Sequence, residues 1–269
     1  SSYYRTPFPV RLWLWNAFAQ SKSGVGKWLG NTFGSKPKLM SQVNPDLRTS
    51  VAELQLRKCG YFHGDVSYKI VTGRNAKKAK IAYTVNMGPL WTVDSIEYLR
   101  FPLIADSLIQ AHRAEAVIKN GDPFSVPALA NERQRLAKLF RNNGYYYYNE
   151  SYASYLADTV NVPHKVLLHF QMADSLDESI KKKWYIGNVD INFRRQFTDV
   201  LQDSLRRRSV TVHFNGRKPP IRTGVILREL KLRPQQLYSV DNEDISKTNL
   251  QNMGLFSYTA FRFTPRDTT

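Results

Sequence analysis

The stretch Asn143-Gly144-Tyr145-Tyr146 decides the fold, because its pattern recurs at two other places in the chain. Cys59-Gly60-Tyr61-Phe62 and Met253-Gly254-Leu255-Phe256 are the other copies. In each copy, a glycine follows a predicted helix and precedes an aromatic-rich segment. Glycine takes the left-handed backbone conformation that commonly ends a helix. The repetition predicts several copies of one small structural unit.

Each glycine is preceded by a predicted amphipathic helix. Asn44, Ser125 and Ser239 are residue types that cap helix N-termini, and each stands at a predicted helix start. Apolar residues stand four positions before the glycine, and others eight or nine before it, which predicts one buried stripe per helix. The pairs are Val51 with Leu56, Leu136 with Phe140, and Ile245 with Leu250.

Strands and a further helix complete the predicted unit. The pattern predicts opening strands in which Trp91 aligns with Trp184 and Val93 with Ile186. The sequence thus predicts an α+β fold, a tandem of three β-α-α-β-β modules, each a three-stranded sheet covered by two helices. The predicted opening strands are 91–96 and 184–189, the first helices about 102–113 and 222–232, and the closing strands 80–85 and 165–170.

Three modules divide the chain as 1–88, 89–175 and 183–269. The third contains a predicted insertion at 206–220 with a strand at 210–214. The first module has predicted helices at 12–18 and 25–33 but no clear opening strand, and the third has no clear closing strand. We therefore expect a fragment of a longer protein, with incomplete first and last modules.

The order of helix, glycine-aromatic segment and hairpin resembles the POTRA (polypeptide-transport-associated) domain over nearly the whole chain. Such domains precede the β-barrel of BamA- and TamA-type outer-membrane assembly proteins. Arg233-Pro234-Gln235-Gln236-Leu237-Tyr238-Ser239 and Asn249-Leu250-Gln251-Asn252-Met253-Gly254-Leu255-Phe256 resemble the last such domain before a barrel. Leu12-Trp13-Leu14-Trp15-Asn16 and Asn44-Pro45-Asp46 resemble the first repeat of TamA-like, often lipid-anchored Bacteroidetes-type proteins of the surface antigen superfamily.

This resemblance implies a scaffold on the periplasmic side of the bacterial outer membrane, with no enzymatic activity and no cofactor. Its implied partners are unfolded outer-membrane or surface polypeptides and assembly partner proteins. The last repeat would lie next to a C-terminal β-barrel of the same chain, outside this fragment. The expected role is outer-membrane protein assembly or protein translocation.

Open sheet edges are the predicted polypeptide-binding sites, because their free backbone groups accept another strand with little demand on its sequence. We expect these edges at 61–71, 145–157 and 255–263. The run from Tyr145 to Tyr148 is interpreted as a strand whose alternate side chains lie on opposite faces. Either one face packs in the core and the rest lies at the sheet edge, or the run forms an aromatic edge that receives an extended peptide. The candidate residues are Tyr61, Phe62, Val66, Tyr68, Tyr145, Tyr147, Tyr152, Leu255, Phe256 and Tyr258.

The charge balance is strongly basic, with 39 Lys plus Arg against 22 Asp plus Glu and a formal net charge of +17. Such a surplus attracts nucleic acid, an anionic lipid surface or an acidic protein. No helix-turn-helix, zinc or RNP-type pattern is present, so nucleic acid is not the expected partner. Because the net charge is so basic, nucleic-acid binding is kept as the alternative function. The basic residues form three clusters, Lys77-Lys78, Lys181-Lys182-Lys183 and Arg206-Arg207-Arg208. Each cluster is either a solvated loop or a contact with lipid headgroups, and the second and third clusters are the candidate lipid contacts.

Motifs for catalysis or metal binding are weak. Ser23-Gly24-Val25-Gly26-Lys27 lacks the earlier glycine and the following Ser or Thr of a phosphate-binding loop. The five histidines show no metal-ligand spacing on a helix, so no metal is expected. Cys59, the single cysteine, is expected to be a small packing residue.

Overall fold

A computed structural model describes residues 43–72, 79–160 and 162–266. Contacts divide the chain into two compact units. The first is the chain up to Arg57 together with Tyr61–Pro89, and the second is Lys58–Gly60 together with the chain from Leu90 onwards. The helices predicted at 12–18 and 25–33, the segment 23–27 and Lys77-Lys78 lie outside the described residues.

The first unit contains one described helix and a hairpin. Helix α1 spans Pro45–Lys58 and runs to the unit boundary, and strands β1 (Asp65–Thr72) and β2 (Ala79–Asn86) pair antiparallel. The predicted cap at Asn44 is confirmed, since its Oδ1 accepts a hydrogen bond of 3.0 Å from the N–H of Leu47. The predicted hairpin is confirmed as well.

The second module is complete. Its elements are β3 (Thr92–Leu99), α2 (Leu103–Ala111), α3 (Val126–Asn142), β4 (Ala153–Asp158) and β5 (Lys165–Met172). Strand β5 is central, parallel to β3 and antiparallel to β4. The predicted β-α-α-β-β order is therefore confirmed here.

The core of this module lies between the sheet and its two helices. Ile109 of α2, Leu136 and Phe140 of α3, and Phe170 of β5 are almost completely buried. Phe101 stacks on both phenylalanines, with ring centroids 5.9 Å from Phe140 and 5.5 Å from Phe170. Burial of these large apolar side chains is the main force holding α2 and α3 on the sheet.

The third module builds the same sheet from a different order of elements. Strands β6 (Val189–Asn192), β7 (Asp203–Arg207) and β8 (Val210–Phe214) precede helices α5 (Thr223–Glu229) and α6 (Val240–Asn252). Strand β8 is central, parallel to β6 and antiparallel to β7. The predicted strand at 210–214 is confirmed, and its hairpin takes the place beside β6 that the closing hairpin takes in the second module.

Two strand predictions for this module are wrong. The opening strand begins at Val189 rather than Trp184, and residues 255–263 form no strand. Strand β8 already pairs with β6, and the segment after α6 packs on the core instead. Phe256 and Phe261 lie against the cluster of Ile226, Leu230 and Leu250.

The buried stripes are confirmed only where two apolar residues are four apart. Leu136 and Phe140 are both buried, whereas Val51 and Ile245 are 49% and 45% exposed. These two residues stand five positions before Leu56 and Leu250, which turns them about 140° away around the helix. Cys59 is also exposed, so its predicted packing role is wrong.

Candidate functional site: open strand edges and the joint between two modules

Strand β4 forms the open edge of the second sheet. Its inner side pairs with β5 in the register Ala153↔Met172 to Asp158↔Leu167. Within the described ranges, no other strand lies on its outer side. Leu156 is 53% exposed on this strand, and Ser154 and Ala157 are exposed as well.

The opposite edge of this sheet is partly covered. Strand β3 begins beside the loop before α3, where the N–H of Val93 donates to the carbonyl of Asp122 at 2.8 Å. The N–H of Gly121 donates to the carbonyl of Val93 at 2.7 Å. A bridge between Thr92 and Pro123 completes this cover, so a peptide has less free backbone here than on β4.

Strand β7, an edge of the third sheet, is charged. All five of its residues are exposed, and Arg206 and Arg207 end it. Charged side chains on an edge strand oppose pairing with other chains. In the first unit, β1 and β2 form a two-stranded sheet within the described residues.

The tyrosine run is not a strand, contrary to the sequence prediction. The run forms turns after α3, and Tyr145 and Tyr148 are buried against Phe140 with ring centroids 5.6 and 4.7 Å away. Tyr147 lies on Trp184 at 5.2 Å. Burial raises the pKa of Tyr148. Aromatic residues favour strands, but the packing of Tyr145 and Tyr148 on Phe140 overrides that preference here.

The other predicted contact residues are dispersed. In the first unit, Val66 and Tyr68 lie on β1, where Val66 is buried and the Tyr68 hydroxyl donates to Asp46 Oδ1 at 3.0 Å. This hydrogen bond raises the pKa of Tyr68. Tyr61 and Phe62 lie in the turn before β1, Tyr152 in a short 3-10 helix before β4, and Leu255, Phe256 and Tyr258 in the irregular segment after α6.

A repeated backbone pattern connects successive modules in the second unit. The N–H of Trp184 donates to the carbonyl of Gly144 at 2.7 Å, and the N–H of Tyr238 donates to the carbonyl of Trp184 at 2.9 Å. The N–H of Trp91 donates in the same way to Gly60, at 2.9 Å. The predicted alignment of Trp91 with Trp184 is thus confirmed by equivalent hydrogen bonds.

The equivalence extends to the residues that follow each tryptophan. Ile186 exchanges hydrogen bonds with Gln235 and Gln236 as Val93 does with Gly121 and Asp122. Alignment of the two opening segments in the sequence predicted that Val93 and Ile186 are equivalent residues. It did not identify Gln235 as the counterpart of Gly121, although both have a left-handed backbone, with φ of 67° and 90°.

Side chains connect α3 to α6 at this joint. Asn142 Nδ2 donates to Asp241 Oδ2 at 2.8 Å, and Asn142 Oδ1 accepts from the Ser239 hydroxyl and the Asp241 N–H, both at 3.0 Å. Lys138 Nζ lies 2.9 Å from Asp241 Oδ1. The hydrogen bonds from Lys138 and Asn142 lower the pKa of Asp241.

Tyr238 is the buried centre of the joint. Its hydroxyl accepts from Arg141 Nη2 at 2.9 Å and donates to Glu243 Oε2 at 2.7 Å. Glu243 Oε1 in turn accepts from Lys247 Nζ at 2.6 Å. Burial and the bond to Glu243 raise the pKa of Tyr238. No sequence pattern predicts the contact of Arg141 with Tyr238, because the two residues are 97 positions apart.

The basic clusters differ in their surroundings. Lys181 pairs with Glu178 at 3.0 Å within the short helix α4 (Glu178–Lys181), and Lys183 Nζ lies 5.8 Å from the Tyr145 ring centroid. The three arginines Arg206-Arg207-Arg208 end β7 and begin its turn, and all are exposed. The lysines thus belong partly to the joint, and the arginines face solvent.

Metal sites and membrane-spanning helices are two further classes of feature that the described residues lack. No group of three or more His, Cys, Asp or Glu side chains in them is arranged to hold a metal ion. In the same part of the chain, no helix combines the length and apolar character required to cross a bilayer.

No protein-family model matches the sequence. No curated protein matches it either. Among solved structures, the chain is similar to POTRA domains 3–5 of BamA from Haemophilus influenzae, at 13% identity and a TM-score of 0.41, over 88% of this chain and 79% of that one. It is also similar to BamA from Haemophilus ducreyi lacking POTRA domains 1–3, at 17% identity and a TM-score of 0.34, over 58% of this chain and 28% of that one. A third similarity is to POTRA domains 1–3 of the periplasmic domain of Omp85 from Anabaena, at 15% identity and a TM-score of 0.26, over 84% and 75%. The TM-scores are low, so these similarities assign neither a family nor a function to the chain.

Proposed function

We propose that this chain is a periplasmic scaffold that binds extended polypeptides by adding them as strands to its sheet edges. The proposal includes the role that the sequence resemblance implies, in an outer-membrane β-barrel assembly or translocation protein. The clients would be unfolded outer-membrane or surface polypeptides, with assembly proteins as further partners. A β-barrel of the same chain would receive these clients.

The open edge of β4 is the observation that carries this proposal. An edge strand has backbone N–H and C=O groups that point away from its sheet and can pair with an incoming strand. Strand β4 has the sequence Ala-Ser-Tyr-Leu-Ala-Asp, without lysine, arginine or proline. The usual features that protect an edge from pairing are therefore few on this strand.

The remaining edges differ in how well they suit this role. Strand β1, with Val66 and Tyr68, belongs to the hairpin of the first unit and is a second candidate. Strand β3 is covered at its start, and β7 ends in arginines. Because residues 255–263 are not a strand, we no longer assign a peptide edge to Leu255, Phe256 and Tyr258.

The joint supports a scaffold role because it fixes two sheets relative to each other in the second unit. Backbone hydrogen bonds, an ion pair and a buried tyrosine all connect α3 with the start of the third module. A scaffold that presents several edges to one chain gains from fixed spacing, since a second contact then becomes intramolecular.

An NMR titration of the isotope-labelled chain with an unfolded outer-membrane β-strand peptide tests the proposal. We expect the largest amide shifts along β4, because its outer backbone groups would gain hydrogen bonds. Leu156→Lys should weaken binding, since a charge on an edge strand opposes pairing. Leu103→Lys is the matched control, because Leu103 is exposed on α2 and lies outside every strand.

Two outcomes would contradict strand addition on β4. One is peptide binding that leaves the β4 amides unchanged. The other is an equal loss of affinity in Leu156→Lys and Leu103→Lys, which would indicate a nonspecific effect of charge. A peptide of the same length in which every second residue is replaced by proline should not bind, since proline cannot donate to a strand ladder.

Nucleic-acid binding is the alternative, favoured by the net charge of +17 and the exposed arginines of β7. A DNA oligonucleotide titrated in parallel distinguishes the two. Phosphate contacts would give shifts around Arg206 and Arg207 and an affinity that falls steeply with salt. Shifts with DNA alone would replace the scaffold proposal.

A further inference from the structure

The loop between β6 and β7 exposes two large apolar side chains, Phe197 and Val200, which are together called the apolar tip. Phe197 is 77% exposed and Val200 is 78% exposed. The Phe197 ring contacts that of Tyr258, which is itself exposed, at 5.4 Å between centroids. Large apolar side chains that are exposed and in contact with one another, as Phe197 and Tyr258 are, indicate a surface that meets a partner or a membrane.

Hydrogen bonds hold this loop in a defined shape. Asp199 Oδ2 accepts from the N–H groups of Arg195 and Gln196 at 2.9 and 3.0 Å. Arg194 Nη1 donates to the Phe197 carbonyl at 3.0 Å. Asn215, just after β8, donates to the Val200 carbonyl at 3.1 Å. The loop therefore presents its apolar tip from a fixed base.

The surroundings of the tip are basic. The loop and the start of the next connection lie at the same end of the sheet, because Asp203 pairs with Phe214 there. Residues 193–203 and 214–218 contain four basic residues and two acidic residues. Both carboxylates accept hydrogen bonds from backbone N–H groups, Asp199 from Arg195 and Gln196, which lower its pKa, and Asp203 from Gly216. The basic residues are Arg194, Arg195, Arg217 and Lys218.

We infer that this loop binds an anionic lipid surface, with Phe197 and Val200 entering the bilayer interface and the basic residues contacting headgroups. Apolar tips surrounded by Lys and Arg have the composition of interfacial membrane contacts. Each basic residue near an anionic surface raises the affinity by about fivefold. An acidic protein would supply the charge but would not require two large exposed apolar side chains in one loop.

This site differs from the lipid contacts suggested by the sequence. Lys181 and Lys183 are engaged with Glu178 and the Tyr145 ring. Arg206 and Arg207 lie toward the far end of β7, whose length is roughly 13 Å. At that distance, salt screens much of their interaction with a surface that the loop touches.

Vesicle co-sedimentation of the full chain tests the inference. We expect binding to phosphatidylcholine vesicles that contain phosphatidylglycerol and little binding to phosphatidylcholine alone. The double variant Phe197→Ser with Val200→Ser should lose at least about tenfold in affinity, because the inserted apolar area is gone. Leu103→Ser is the matched control, since Leu103 is 87% exposed elsewhere and should bind as the parent chain does.

The contribution of charge is tested with two double variants, each of which removes two positive charges. Arg195→Ser with Arg217→Ser should weaken binding by at least tenfold, and Arg206→Ser with Arg207→Ser should change it much less. Insertion is tested with Phe197→Trp, whose fluorescence should shift to the blue and be quenched by brominated acyl chains. The corresponding Leu103→Trp should show neither effect.

The inference is overturned if the Phe197 and Val200 double variant binds vesicles as the parent chain does, since adsorption would then be purely electrostatic. Equal binding to neutral and anionic vesicles would overturn it as well. Loss of the peptide shifts on β4 in the same double variant would instead assign the tip to polypeptide binding. Because β4 and this loop lie in different modules, the lipid test and the peptide test can fail separately.

Discussion

Ser246 of α6 occupies the position that Glu132 occupies in α3. Each stands seven residues after the serine that caps its helix. Each accepts a backbone N–H from fifteen residues earlier in the chain, Glu132 from Val117 and Ser246 from Lys231, both at 2.8 Å. The two modules therefore satisfy the equivalent backbone N–H after their first helix with acceptors of different chemistry.

Replacing either acceptor should destabilise the second unit, and Glu132→Ala more than Ser246→Ala. Loss of Glu132 leaves the Val117 N–H and the Arg135 guanidinium without their partner, at a cost of about 3 kcal/mol. Loss of the Ser246 hydroxyl removes two neutral hydrogen bonds, one from the Lys231 N–H and one to the Asn242 carbonyl, at about 1 to 2 kcal/mol together. Urea unfolding measures both. Equal losses of stability in the two variants would mean that the ion pair between Glu132 and Arg135 does not contribute to stability.

Gln235→Gly should stabilise the chain. Gln235 has φ of 67°, in the left-handed region where a side chain costs about 1 kcal/mol, and glycine removes that strain. Gly121→Ala should lower the free energy of unfolding by a similar amount, because Gly121 has φ of 90°. Strain is the only cost there, since an added Cβ would meet no atom within 4 Å. Gly187→Ala serves as control, since that position also has free space and no positive φ. Thermal unfolding that ranks Gln235→Gly below the parent chain would refute this reasoning.

Gly60→Ala should be more damaging than Gly254→Ala, although both glycines end a helix in the left-handed conformation. A Cβ on Gly60 would lie 2.9 Å from the Phe124 carbonyl oxygen and 3.1 Å from that of Trp91, and backbone cannot move aside. A Cβ on Gly254 meets nothing within 4 Å, so only the strain of about 1 kcal/mol remains. Urea unfolding of the two variants gives the comparison. Similar losses would show that the carbonyls near Gly60 yield easily.

Asn142→Ala should loosen the joint. The change removes three hydrogen bonds between α3 and the start of α6 and leaves the Asp241 N–H without its acceptor. We expect a loss of about 1 to 3 kcal/mol and larger relative motion of the second and third modules. NMR residual dipolar couplings of both modules report this motion. Asn143→Ala is a neighbouring control, since Asn143 bonds within its own helix, to the Leu139 carbonyl.

The joint should also weaken in acid. Because Lys138 and Asn142 lower the pKa of Asp241 in the folded chain, its contribution is present above the unfolded pKa of about 3.9. That contribution is lost as the pH falls through the lower folded value. Asp241→Asn should therefore be less stable than the parent chain at neutral pH, with a difference that shrinks below about pH 4. The effect should be small, because the pair is partly exposed and screened. A difference that is constant with pH would exclude this titration.

Local signals in the sequence predicted the two ends of the helix that precedes the glycine in each repeat. Asn44, Ser125 and Ser239 cap helices, and Gly60, Gly144 and Gly254 end them with φ between 64° and 94°. Caps and left-handed glycines are decided by a few neighbouring residues, and so they can be read from sequence. The tyrosine run misled the prediction, because aromatic residues are enriched in strands and no local pattern records that Tyr145 and Tyr148 pack on Phe140 instead.

The sequence by itself determined that the chain repeats a unit of helix, glycine and aromatic segment, since capping residues, apolar spacing and glycine act locally. Only the tertiary structure decided that the hairpin before α5, rather than the segment after α6, completes the sheet of the third module. The tertiary structure also decided that Asn142 contacts Asp241 and that Phe197 is exposed in a basic loop. Strand pairing and side-chain contacts over long separations depend on competition among all segments for the same apolar surface and hydrogen-bond partners, and no local pattern records the outcome.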